Sequence, residues 1–288
     1  MKLSPVLILL LSVSMISCEK NDPERFKNPV LKIGDNAEFT YEDFDLYDSS
    51  SKVLYFKSIH PEFVDYKDSE FSVFADDVLI YEGRFWSAYY SSFPTTAFVT
   101  TDPFFYYQNH ALGFEYLNQN QPDPRNDVRL MSAFKEKNLL HSGLSVTIES
   151  LSISGTQATF SCTVTNHDSD DLYILDYTKT GINLFHYYTN GLILVNKDQP
   201  EIVYCLINPQ SPVPYNSWKM EWFSLLKSGE SFQLNMDYSF ANPLKKGNYI
   251  AWFDFPGMTY QISKGDLMQT NGRIWLGKVT ASKKIVIQ

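Results

Sequence analysis

Apolar and polar side chains alternate with a period of two through most of this chain. Leu144–Ile153 alternates over nearly its whole length, turns at Ser154-Gly155, and Gln157–Thr165 alternates again. Period two marks a strand with one buried face. Glu70–Ala75 and Val78–Glu82 read as a hairpin closed by Asp76-Asp77, since Asp tolerates tight turns. Lys52–Ile59, Thr96–Thr101, Ala111–Leu117, Leu172–Leu175, Glu201–Ile207, Ser231–Tyr238, Asn248–Phe255, Arg273–Val279 and Lys284–Ile287 supply further short strands. Asn190-Gly191 is a tight-turn signal and predicts a hairpin between Phe185–Tyr188 and Leu192–Val195. One helix is expected around Trp218–Leu226, where Trp218 and Trp222 would share a face and pack into a core. Val128–Leu140 suits a short helix or a strand. Many short strands separated by turns predict an all-β chain built as two β-sandwich modules.

The N-terminus has a different pattern. After Met1 and Lys2, Pro5–Ile16 is an apolar run, ended by the small residue Ser17. It is too short to span a bilayer, which takes about 20 residues, and it has the layout of a secretory signal peptide. Met15-Ile16-Ser17-Cys18 resembles the lipobox of bacterial lipoproteins, with Met15 where Leu is usual. The resemblance implies cleavage before Cys18 and lipidation of that cysteine. The polar, acid-rich Glu19–Glu24 resembles the tethers of Bacteroidota lipoproteins, which implies attachment to the outer membrane and display at the cell surface. A multiply acylated cysteine exceeds the two lipid signals that stable anchoring requires.

Five segments follow from these signals: a signal peptide (1–17), a tether (18–36), an N-terminal sandwich-like module (37–118), a linker (119–142) around the Pro-rich Asn118–Asp127, and a C-terminal sandwich (143–288). Within the last, Leu225–Phe232 and Leu244–Tyr249 resemble strand starts of immunoglobulin-like bacterial modules. That resemblance implies that Tyr249, just after a glycine turn, pins a corner by bonding back to the backbone. The Cys-Trp-Cys spacing of antibody domains is absent.

Composition narrows the partners. The 288 residues are 44% hydrophobic and 20% charged, with a net charge of −9, so the composition is globular. Such an acidic chain lacks the basic face that phosphate contacts need, which argues against nucleic acid and against an anionic membrane surface. With Cys18 assigned to lipid, Cys162 and Cys205 remain. Outside the cytoplasm they could pair, and equally both could be small buried hydrophobes.

Catalytic motifs are missing from the sequence: there is no GxSxG, HExxH, phosphate loop or GxGxxG. His60, His110, His141, His167 and His186 are scattered, with no helical metal pair among them. Asn166–Asp171 places Asp168 and Asp170 as alternate calcium ligands can stand. The loop lacks the glycine and distal Glu of the twelve-residue motif, so a plain turn is the expectation, with no metal and no cofactor. The 33 acidic residues offer a glycosidase no identifiable carboxylate pair.

The aromatic clusters Phe85–Pro94 and Asp102–Tyr107 carry the remaining signal. Adjacent residues of a strand point to opposite faces, so these rings cannot all enter one core. Trp86, Tyr89, Tyr90, Tyr106 and Tyr107 are therefore the candidate ligand-binding residues, able to stack on sugars or anchor a protein. Alternatively, they fill the seam between modules or cover a small sandwich core. The sequence thus reads as a non-catalytic, lipid-anchored envelope protein that binds a glycan or protein ligand. The alternatives are an assembly component acting through protein contacts at the module seam, and a glycan hydrolase.

Overall fold

The computed structural model describes residues 28–35, 37–101, 110–118, 120–199, 201–215, 217–258 and 262–288. The signal peptide, Cys18, Tyr106 and Tyr107 lie outside them. Strands dominate, and the fold is all-β with a few short helices. No helix among the described residues is long and apolar enough to cross a membrane.

The N-terminal half forms two sheets. One runs in the order Ala37–Phe39, Leu31–Ile33, Glu70–Ala75, Val78–Ser87, Ala97–Thr101, its last pair parallel. The Asp76-Asp77 turn has positive φ at both residues (46° and 68°), the backbone that matches hairpin twist. The second sheet orders Ala111–Gly113, Val53–Phe56, Phe44–Asp48 and Leu140–His141. It is buried on both faces. Leu46, Val53, Tyr55 and Ala111 enter one core, while Tyr47, Leu54, Phe56 and Leu112 enter the other. Consecutive apolar residues there reflect a middle layer, as in any sheet covered on both sides.

The C-terminal half contributes three sheets. Leu144–Ser154, Gln157–Asn166 and Ser231–Ser239 form one; Glu201–Tyr204, Leu192–Asn196, Gly247–Pro256 and Lys278–Ile287 form another. These two face each other across a core, where Phe160 of the first meets Phe253 of the second at 4.8 Å between ring centroids. A smaller sheet joins Phe223–Leu226, Leu172–Leu175, Gly272–Ile274 and Met268–Gln269. The Tyr249 hydroxyl donates to the Lys245 carbonyl at 3.0 Å, the backbone pin expected at the start of its strand.

Several elements differ from expectation. Trp218–Leu226 is a single 3-10 turn, Met220–Trp222, followed by the strand Phe223–Leu226. One isolated turn is too short to propagate a helix, and pairing with Leu172–Leu175 satisfies the strand backbone. Phe185–Tyr188 belongs to the helix Ile182–Tyr187 and its cap, so Asn190-Gly191 joins a helix to a strand. Ile182 with Phe185, and Leu184 with Tyr188, repeat at the helical interval. Leu31–Ile33, within the expected tether, is a strand with Leu31 and Ile33 in the core. Within the expected linker, Val128–Glu136 is a helix capped by Asp127, with Leu130, Ala133 and Phe134 buried.

Candidate functional site

Trp86 sits near the end of the strand Val78–Ser87. Period two sends Phe85 and Ser87 inward and leaves Arg84 and Trp86 half-buried on the outer face. The chain then turns, with Tyr90 N–H donating to the Ser87 carbonyl at 3.1 Å. That turn sets Tyr90 edge-on to Trp86, 4.7 Å between centroids. The Arg84 guanidinium stands 5.7 Å from the Trp86 ring, within cation–π range. Tyr90 Oη donates to the Asp68 carboxylate at 2.9 Å, and that hydrogen bond raises the phenol pKa. Together with Ser91 and Ser92 these residues line a shallow depression of about 330 Å³. Beside it Tyr89 is 73% exposed and Phe93 68%. Of the five expected ligand-binding residues, Trp86 and Tyr90 thus share this depression, and Tyr89, next to Tyr90 in the chain, is exposed.

The loop Asn166–Asp171 meets a different fate. Asp168 Oδ1 lies 2.7 Å from His141 Nδ1, and Asp170 Oδ2 lies 3.6 Å from the same atom. These are the one set of three metal-capable residues that converge among the described residues. Positive charge is already present there. Arg273, fully buried, places Nη2 2.8 Å from Asp168 and 3.0 Å from Asp48, and Nε 3.8 Å from Asp170. Asp48 also accepts from the indole N–H of Trp275 at 3.1 Å. Burial pushes the Asp168 carboxyl up, but the His141 hydrogen bond and the Arg273 charge outweigh it and hold it well below the usual carboxylate range. The cluster joins Asp48 of the N-terminal half to Arg273 of the C-terminal half, with Asp48, Asp168 and Arg273 buried and Asp170 at its partly exposed rim.

A larger cleft of about 710 Å³ opens between the two halves. Trp252, Asp254 and Thr280 line it from the outer face of the sheet carrying Gly247–Pro256, together with Tyr187, Tyr188 and Thr189. Ser51, Lys52, Phe114, Glu115, Asp123 and Arg125 face them from the N-terminal half. Burial, aided by Arg125, lowers the Lys52 ammonium to about 8. Sequence reasoning missed this site, although one signal existed. In Asn248–Phe255 the outward register holds Asn248, Ile250, Trp252 and Asp254, which leaves a tryptophan on the side away from the core. The chain matches no known protein family and no curated protein.

Proposed function

We propose that this chain is a lipid-anchored, non-catalytic envelope protein that holds a glycan or protein ligand against the Trp86 surface. Cys18 supplies the anchor to the outer membrane, and the body faces outward on its acidic stretch. The observation carrying the reading is the Trp86–Tyr90 ring pair lining one outer depression, held by Arg84 and Asp68, with Tyr89 and Phe93 exposed in the segment around it. Large rigid rings give contact area at little entropic cost, and Trp, Tyr and Arg dominate binding hot spots.

The C-terminal half is read as an immunoglobulin-like sandwich. Three strands facing four, with Gly247–Pro256 central in its sheet and Tyr249 bonded to Lys245, support that assignment. Such a fold hosts many functions and adds nothing to the ligand's identity. The test is to screen the purified protein against glycans and envelope proteins, then repeat each hit with the double variant Trp86→Ala/Tyr89→Ala. Binding should vanish while the melting temperature holds; unchanged binding removes this surface from consideration. Protease treatment of intact cells checks the location. Release of the body is expected, and full protection beside a periplasmic control argues for an inward-facing role.

The assembly reading draws on one other feature. Ile202, Tyr204 and Leu206 are exposed along the edge strand Glu201–Tyr204 and the bridge after it. Exposed strand edges invite pairing with another chain. Crosslinking in intact cells that finds a fixed partner at Tyr204 favours this reading, and a lone monomer opposes it.

A further inference from the structure

We propose that the cleft between the two halves is a second binding site, and that it takes a neutral oligosaccharide. It shares no lining residue with the Trp86 depression, so the inference goes beyond that surface and stands or falls apart from it.

Size comes first. At about 710 Å³ the cleft lies within the roughly 300–1,000 Å³ of small-ligand sites. Charge comes next. Lys52, Arg125 and Lys278 balance Glu115, Asp123 and Asp254 in the lining, and most of these already have partners. Arg125 pairs with Asp123 at 2.8 Å. Lys52 donates to Asn126 at 2.6 Å and to the Ser49 carbonyl. Thr100 donates to Glu115, and Thr280 to Asp254. Of these lining charges only Arg125 and Asp123 form an ion pair among the described residues, and the other four, two of each sign, sum to zero, so a ligand of either sign meets repulsion as well as attraction here.

Polar atoms that want a partner are of another kind. Ser51 Oγ and Trp252 Nε1 are buried with no hydrogen-bond partner among the described residues, and both residues line the cleft. Unsatisfied buried donors are uncommon and mark sites where a ligand or water completes the bonding. The same lining holds Tyr187, Tyr188 and Trp252 and the threonines Thr100, Thr189 and Thr280. Rings present apolar faces to C–H groups, and neutral donors and acceptors match hydroxyls. A sugar chain carries both in every unit. A peptide carries them only at chosen side chains.

Titration calorimetry of the full chain tests this. The probes are cellohexaose, maltohexaose, xylohexaose and mannohexaose, with hexagalacturonate and a neutral Gly-Ser-Tyr decapeptide as other classes. At least one neutral hexasaccharide should bind saturably. Ser51→Ala removes an oxygen without a protein partner and should leave the melting temperature unchanged, while Trp252→Phe also gives up ring contact and should lower it by no more than a few degrees with the fold intact. Each should weaken binding about tenfold, the loss of one good hydrogen bond. Silence from all four neutral sugars overturns the proposal. So does preferential binding of the galacturonate or the peptide, or binding that follows Trp86→Ala and ignores both cleft variants.

Discussion

Arg273 and Asp48 lie 225 positions apart in the chain, yet their side chains meet at 3.0 Å with neither exposed to solvent. Asp168 shares the same guanidinium nitrogen at 2.8 Å. The pair therefore ties a strand of the N-terminal half to a strand of the C-terminal half through a charge that has no access to water. Removing one partner of such a pair leaves the others buried and uncompensated. Arg273→Met, close in volume, should therefore destabilise the protein by about 3–5 kcal/mol. Urea unfolding followed by tryptophan fluorescence measures this. A loss below about 1 kcal/mol would mean that the cluster is hydrated in solution.

The same cluster sets a pH dependence. Asp168 has a folded-state pKa below its unfolded value of about 3.9. Its contribution is thus fully present above about pH 4 and is lost as pH falls toward the folded value. Asp123 and Asp176 are shifted in the same direction, their side-chain and backbone hydrogen bonds outweighing burial. Stability should therefore fall steeply below about pH 4. Asp168→Asn should lower stability at pH 7 and flatten that acid limb. A variant with the parent's acid slope would show that Asp168 is not what titrates.

What the sequence revealed depended on how local the cause was. Ala158, Phe160, Cys162 and Val164 alternate on one buried face, so the period alone identified their strand. Asp76-Asp77 named its own turn. Val53–Phe56, buried on both sides, reads as apolar without a period, so nothing in it indicated a middle layer between two cores. Ile182–Tyr187 carries aromatic and β-branched residues that also suit a strand, and its packing into the core decided for helix. Arg273 looked like any surface arginine, because its partners Asp48 and Asp168 are supplied by remote segments. Of the aromatic surface, Trp86 followed from period two beside Phe85. The cleft did not, because it exists only once the two halves are placed together.

Tyr249 offers a test of the corner. Its hydroxyl donates to the Lys245 carbonyl at 3.0 Å and accepts from Asn196 Nδ2 at 3.2 Å, with the ring buried. Tyr249→Phe keeps the ring and removes both bonds, leaving a buried amide donor short of a partner. The expected loss is about 1–3 kcal/mol, read from the midpoint of urea unfolding at unchanged slope. A changed slope would instead point to altered compactness of the native or unfolded state.

The two cysteines of the body decide the remaining alternative between a disulfide and buried thiols. Cys162 and Cys205 are free, and both enter the C-terminal core. Burial, with the nearby Glu149 charge, pushes the Cys162 thiol up to about 12, and burial also raises Cys205. Since the thiolate is the reactive form, neither should react with a thiol reagent at pH 8 in the folded protein. Gly191 N–H and Thr189 Oγ1 hold the turn beside Cys205, and Leu192 N–H donates to its sulfur at 3.2 Å, so access requires opening that turn. In denaturant without reductant, both thiols of a chain with Cys18 replaced by Ser should titrate at once. If neither does, the pair has oxidised, and Cys162 and the segment after Glu201–Tyr204 that carries Cys205 sit closer than the free-thiol core requires.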